Sequence, residues 1–215
     1  MAKTRNKSPY DQTKQTYSYG SSGSYAIGGT IGMFGIGGMS SIDGWFTTDN
    51  RLQVGIQLFK TEGDSSESTD DDETSVVATK EYIDLKNRGI KFYGRLFPGS
   101  GSFYITGGIG IGKTAGNYGV ENRAVFSKVT TAYDGSYSFL QFAIGNQWRW
   151  DSGVIIGCDW IAVNSLAAKL DVDQNSGSAQ AINTFTNLDT TSRPVKVFED
   201  AHKLSVLNLN VSFRL

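Results

Sequence analysis

Cysteine and histidine are almost missing from this chain of 215 residues, which has one of each, Cys158 and His202, and three prolines. A lone cysteine cannot close a disulfide within the chain. Nor can one Cys and one His furnish a closed structural zinc site. A dominant charge of one sign is missing too, since 20 Lys and Arg stand against 21 Asp and Glu. Without clustered cations nothing can neutralise a phosphate backbone, so nucleic acid is excluded as a partner. No run approaches the ~20 apolar residues that a membrane-crossing helix needs. Residues 1–15 begin basic but hold no apolar signal-peptide core, and the favoured reading is a processed form whose signal has been removed. Helical periodicity is scarce, and candidate windows such as residues 81–88 are short.

What the sequence does contain is alternation with a period of two. Leu207, Leu209, Val211, Phe213 and Leu215 alternate with Asn208, Asn210, Ser212 and Arg214. Leu52, Val54, Ile56 and Leu58 likewise oppose Arg51, Gln53, Gly55 and Gln57. Phe103, Ile105, Ile109 and Ile111 oppose Tyr104, Thr106, Gly108, Gly110 and Gly112. Leu140, Phe142, Ile144, Trp148 and Trp150 oppose Gln141, Ala143, Gly145, Gln147 and Arg149.

Thr48-Asp49-Asn50, Pro98-Gly99-Ser100-Gly101 and Asp151-Ser152-Gly153 read as tight turns, and a brief connection is expected near residues 37–40. Long polar connections are expected at about 61–79, 114–135 and 167–202. The chain then holds eight strands, at about 25–35, 41–48, 51–60, 88–97, 102–113, 137–150, 154–165 and 204–215. Residues 1–23 form a polar extension and 24–215 one all-β domain, an eight-stranded antiparallel up-and-down barrel.

Such a barrel could be a soluble cup with its apolar face inside or a membrane barrel with that face in lipid. The polar face favours lipid, for it carries Gly, Ser, Thr, Asn, Gln and a few Arg rather than the Lys and Glu of a water-facing wall. The acids gather in the connections, above all between Glu62 and Glu73. Phe46, Phe103, Trp148, Trp150 and Phe213 lie near the short turns, where an aromatic belt at one membrane interface would sit.

In hairpin rhythm, in short turns against long loops and in the final strand Val206-Leu207-Asn208-Leu209-Asn210-Val211-Ser212-Phe213-Arg214-Leu215, residues 24–215 resemble the small eight-stranded outer-membrane proteins of Gram-negative bacteria, the OmpX-like and OmpW-like group. The resemblance implies a bacterial outer-membrane location, termini in the periplasm, loops outside the cell and a last strand read by the outer-membrane assembly machinery. In that group the last strand usually ends in an aromatic residue, whereas this one ends in Leu215 with Phe213 two places earlier. The fold hosts adhesins, structural proteins, conduits and lipid-modifying enzymes, so it does not settle function.

Four motifs invite chemistry. Gly107-Gly108-Ile109-Gly110-Ile111-Gly112-Lys113-Thr114 matches a phosphate loop, but the alternation runs through it and no helix start follows, so it reads as a strand. His202 with Ser205 could form an acyl-transfer pair, yet no orienting group or oxyanion donor accompanies them. The acids from Glu62 to Glu73 read as a solvated loop, and Asp171-Val172-Asp173-Gln174-Asn175 fails the calcium-loop pattern at Ile182. Asp43, Arg51, Lys91, Arg95, Arg149, Asp159 and Arg214 are expected to face the lumen. They read first as a salt-bridge and hydrogen-bond plug, and second as an anion-tinted path.

The expectation is a monomeric, non-enzymatic barrel with a plugged polar lumen and neither metal nor cofactor. Its loops would meet lipopolysaccharide, outer-membrane lipid or another cell. A conduit for small hydrophobic molecules is the second reading and a lipid-modifying enzyme the third.

Overall fold

A computed structural model of the chain describes residues 23–35, 37–48, 51–69, 79–99, 101–122, 127–172 and 193–215. The polar extension over 1–22, the acids at 70–73 and the failed calcium-loop residues after Val172 lie outside them. The strands are β1 (Ser24–Phe34), β2 (Gly37–Thr47), β3 (Leu52–Thr69), β4 (Thr79–Leu96), β5 (Phe103–Asn122), β6 (Ser127–Arg149), β7 (Val154–Val172) and β8 (Leu204–Arg214). Helix α1 (Arg193–Ala201) precedes β8. Each strand pairs with its chain neighbour, and β1 pairs with β8 from Ala26↔Arg214 to Ile31↔Leu209, which closes the barrel. Closure leaves no strand edge with unpaired backbone groups in an apolar surround.

The greasy faces point outward. Leu207, Leu209, Val211 and Phe213 are 57%, 47%, 47% and 56% exposed, against 4%, 2% and 0% for Asn208, Asn210 and Ser212. Ile105, Ile109 and Ile111 on β5 and Leu140, Phe142 and Ile144 on β6 behave alike. In water such a wall would be an aggregation surface; in a bilayer it faces the solvent it matches.

Three expected loops are instead partly strand. β3 and β4 stay paired as far as Thr69↔Thr79, β5 and β6 as far as Asn122↔Ser127, and β7 continues to Val172. The window at 81–88 is strand as well. The reason is a change of solvent along the strand. Beyond the apolar band the outer positions become polar, as at Lys60, Arg88, Lys113 and Lys169. The inner positions become apolar, as at Ile83, Leu85, Tyr133, Tyr137 and Leu170, all buried. Period two persists while its apolar phase moves to the other face. The first connection also differs from expectation, since β1 ends at Phe34, Gly35 turns with φ +64° and β2 already starts at Gly37.

Between β6 and β7 the register shifts, with Ile144↔Ile161 followed by Gly145↔Asp159. Trp160 is the extra residue of a bulge, and it points outward beside Ile161. Asp159 and Asn164 have opposite parity, and the bulge is what lets both face the lumen.

Glycines on the inner wall make room for rings. A Cβ on Gly110 would overlap the Phe139 ring and lie 2.8 Å from the Ile90 carbonyl, and one on Gly55 would come within 2.6 Å of the Tyr93 ring. Gly107, three residues from Gly110 on the same strand, has nothing nearer than Phe142 at 4.0 Å. Gly110→Ala is therefore expected to destabilise the barrel by about 1–3 kcal/mol through overpacking, while Gly107→Ala leaves it nearly unchanged. Urea unfolding of the two refolded variants checks the contrast, and equal midpoints would refute it.

Candidate functional site in the barrel interior

The interior is layered. At the level of the membrane, Asp43 on β2 is buried and takes hydrogen bonds from Thr30 Oγ1, from Asn210 Nδ2 at 2.9 Å and from Ser41 Oγ at 3.2 Å. Gln57 Nε2 donates to Ser41 Oγ at 2.8 Å, and Ser212 Oγ to Asn210 Oδ1 at 2.8 Å. Lys91 Nζ donates to Gln141 Oε1 at 2.9 Å. Gln141 Nε2 passes the chain on to Asn164 Oδ1 at 2.9 Å, and Asn164 Nδ2 to Ser205 Oγ at 3.0 Å. Tyr104 OH donates to Asp159 Oδ1 at 2.5 Å.

The four charges Asp43, Lys91, Arg95 and Asp159 are all buried, as the sequence implied, but they do not form direct ion pairs with one another. Arg95 is held by rings. Its guanidinium lies 5.0 Å from the Tyr93 centroid, 4.9 Å from Tyr104 and 5.7 Å from Trp45. Its Nε and Nη1 find no hydrogen-bond partner among the described residues. Desolvated cation–ring contacts are worth ~2 kcal/mol each. Two of these rings have their places kept open by glycine, Tyr93 by Gly55 and Tyr104 by Gly145.

The other expected luminal charges sit at the end of the barrel that carries the short turns. Arg149 is half-buried, its guanidinium 5.4 Å from the Phe97 centroid and its Nη2 2.6 Å from the amide oxygen of Gln53 when that amide also donates to Gln147 Oε1. Arg51 and Arg214 are exposed at the rim rather than enclosed, because each stands at an end of its strand. Arg149 and Arg214 line a small cavity of about 50 Å³ with Ala26, Trp45 and Trp150. The expected interface aromatics are at this end too. Phe103, Trp150 and Phe213 are exposed, Trp148 is half-buried, and Phe46 stacks on Tyr25 at 4.8 Å between centroids.

Toward the end with the long hairpins the lumen is mainly apolar, which corrects the expectation. Phe34, Phe59, Phe139, Tyr137, Leu85 and Ile83 fill it, and Phe198 of α1, itself 0% exposed, is packed among them. Phe198 lies 5.4 Å from Tyr137 and 4.4 Å from His202, ring to ring. Glu199 Oε1 ties α1 to the wall by accepting from the Ala168 N–H at 3.0 Å. Nothing in the sequence of 167–202 marked this helix except the apolar pair Val195 and Phe198 within a polar stretch.

His202, at the end of the stretch read as a long polar connection, is fully buried. Its Nδ1–H donates to the Phe198 carbonyl at 2.7 Å, and its Nε2 accepts from Asn87 Nδ2 at 3.0 Å. Ser205 Oγ accepts from Gly35 N–H and Asn164 Nδ2 instead, so His202 and Ser205 do not form the acyl-transfer hydrogen bond. The phosphate-loop motif lies wholly within β5 and opens no helix.

A closed wall with its apolar side chains outside and hydrogen-bonded amides and charges inside has only one matching solvent. The chain is a lipid-facing β-barrel of the outer-membrane type. No family model matches it, and no curated protein does. Among solved structures it is similar to a major outer membrane protein from Thermus thermophilus, at 8% identity over 90% of this chain and 100% of that one, with a TM-score of 0.48. It is also similar to Acinetobacter baumannii CarO2, at 14% identity over 89% of this chain and 98% of that one, TM-score 0.41. CarO from the same organism follows at 13% identity, with coverage of 88% and 97% and a TM-score of 0.38.

His202 gives the closure by α1 a pH dependence. Burial lowers its pKa below the ordinary histidine value, and the bond to the Phe198 carbonyl, which acts the other way, is the smaller effect. The unfolded chain therefore takes up the proton first, and closure weakens as pH falls through the ordinary histidine range. Asn87 and Phe34, which face the ring from the wall, carry no compensating charge. Proteolysis within α1 is expected to speed up between about pH 8 and about pH 5. An equal pH response in His202→Phe would disprove the assignment.

Proposed function

We propose that the protein is a non-enzymatic, sealed barrel that acts through its wall and its projecting hairpins, stabilising the outer membrane and presenting an extracellular contact surface. The observation that carries this reading is the filled interior. The aromatic layer closed by Phe198 stands above the hydrogen-bonded layer of Asp43, Gln57, Lys91 and Gln141, and a solute would have to displace both. An eight-stranded barrel is wide enough for its own side chains or for one small ligand. Here the side chains occupy that width.

A conduit for small hydrophobic molecules would need an entrance where α1 packs. It would also need a lateral exit, whereas the strands pair all round the closed sheet, and even at the bulge beside Trp160 the pairs Ile144↔Ile161 and Gly145↔Asp159 flank the extra residue. A lipid-modifying reaction would need a nucleophile beside a base, and both ring nitrogens of His202 are engaged elsewhere. In this reading the protein works as a monomer, and β8, which closes the cylinder against both β7 and β1, is the segment that the assembly machinery engages.

Planar-bilayer recording of the refolded full chain tests the sealed state. A silent bilayer is expected. Discrete conductance steps that persist after repurification would overturn the reading in favour of a conduit, and turnover of labelled phospholipid or lipopolysaccharide that is lost in His202→Ala would overturn it in favour of an enzyme.

A further inference from the structure

The two ends of the apolar band are bounded differently. Exposed aromatics gather at the periplasmic end, whereas the extracellular end is bounded on four strands by cations. Cross-strand pairing sets Lys60 beside Arg88, Arg88 beside Lys113, Lys113 beside Ser136 and Ser136 beside Lys169, all on the outer face. Like charges directly opposite one another on a sheet repel, and nothing in strand pairing requires them there. Lys60 has a partner in Glu62 at 3.2 Å, but Arg88, Lys113 and Lys169 form no ion pair with another described residue. The outward acids Glu62, Asp134 and Asp171 stand one row further from the membrane, with Lys86 among them. One row nearer the membrane stand Leu58, Ile90, Ile111, Ser138 and Ala167.

The three unpaired cations rim one groove of about 680 Å³ on the outer wall across β4–β7, with Ile90 and Ile111 at its apolar end. Ser136, Ser138 and Ala167 form the floor, and their short side chains sink the wall where its neighbours carry Ile and Lys. We propose that this groove binds a phosphorylated, multiply acylated glycolipid of the outer leaflet. An acyl chain lies along Ile90 and Ile111, and the anionic headgroup spans Arg88, Lys113 and Lys169.

The inference rests on the lipid-facing wall and on this end being extracellular. It goes beyond the sealed-barrel reading by naming a partner and a place. Charge complementarity argues for an anionic lipid, and the tilt of the strands argues for a glycolipid. Because strands of a small barrel lean by ~40°, a row of paired residues climbs roughly 3 Å per strand. Lys169 therefore stands well outside Arg88, at a depth that a single phosphodiester at the interface does not reach and a tall headgroup with several phosphates does.

The test uses the full-length protein refolded in detergent, with binding followed by fluorescence anisotropy of a labelled, bis-phosphorylated, multiply acylated glucosamine disaccharide. Its dephosphorylated counterpart, phosphatidylglycerol and inorganic phosphate are the comparison probes. Arg88→Gln, Lys113→Gln and Lys169→Gln are each expected to weaken binding about fivefold and the triple variant on the order of a hundredfold, while Lys86→Gln stays within about twofold. A heat-dependent gel shift confirms that each variant is a closed barrel. Wild-type affinity in the triple variant would overturn the site. So would equal binding of the dephosphorylated lipid or of phosphatidylglycerol, and so would competition by inorganic phosphate at comparable concentration. Loss of the site in a barrel that remains silent in bilayer recordings would leave the sealed-barrel reading standing.

Discussion

Every other feature depends on satisfying the backbone away from water. In an apolar surround an unpaired N–H or C=O costs several kcal/mol, so a sheet there must close on itself. Here the β1–β8 seam makes the closure, and eight strands set the bore. A bore that narrow cannot hold a coat of flexible ions, nor can it stand empty without losing packing. Large rings therefore lie over glycines of the neighbouring strand, Phe139 over Gly110 and Tyr93 over Gly55, while amides and hydroxyls link the rest.

The same constraint explains why the buried cations are held as they are. Burial desolvates each of these ions whether or not it touches a counter-ion, so each needs polar or ring partners at close range. Lys91 directs its ammonium to the Gln141 amide, and Arg95 rests among three ring faces. Asp43 is satisfied by Thr30, Ser41 and Asn210, none of which carries charge. The carboxylates and cations thus balance across the lumen through neutral intermediates. That arrangement fixes many side chains at once and leaves few that could move aside for a passing ion.

The membrane part of the fold was legible because one solvent acts on each face there. Leu207 to Phe213 and Leu140 to Ile144 carry the outward phase without a break, and Asp43, Lys91, Arg95 and Asp159 were placed inside by parity alone. Legibility ended where the outer solvent changes. In β4 the apolar phase passes from Ile90 and Phe92, both outward, to Leu85 and Ile83, both inward; in β6 it passes from Leu140 to Phe139 and Tyr137. A search for one continuous apolar face reads that inversion as a loop. The bulge at Trp160 was hidden for a related reason, since it is revealed only by the demand that Asp159 and Asn164 share the lumen. Helix α1 is shorter than an isolated helix can sustain and owes its place to Phe198 and Glu199, contacts that local sequence does not announce.

The inversion also bears on function. A barrel needed only as a membrane filler would end its strands at the headgroups, yet β3–β7 run on with an apolar interior and a charged exterior. Beyond the apolar band β3–β7 form a wall with a polar outside and an apolar inside, completed by α1 and stacked on the inside-out barrel below. The two halves need opposite interiors, and the buried polar pair Asn87 and His202 lies at their junction, with Asn87 also donating to Thr61 at 2.9 Å. β3–β7 carry residues of both cores, so the packing of one bears on the placement of the other. The outward cations Lys60, Arg88, Lys113 and Lys169 thereby sit on paired strands rather than on loops, and strand register sets their spacing.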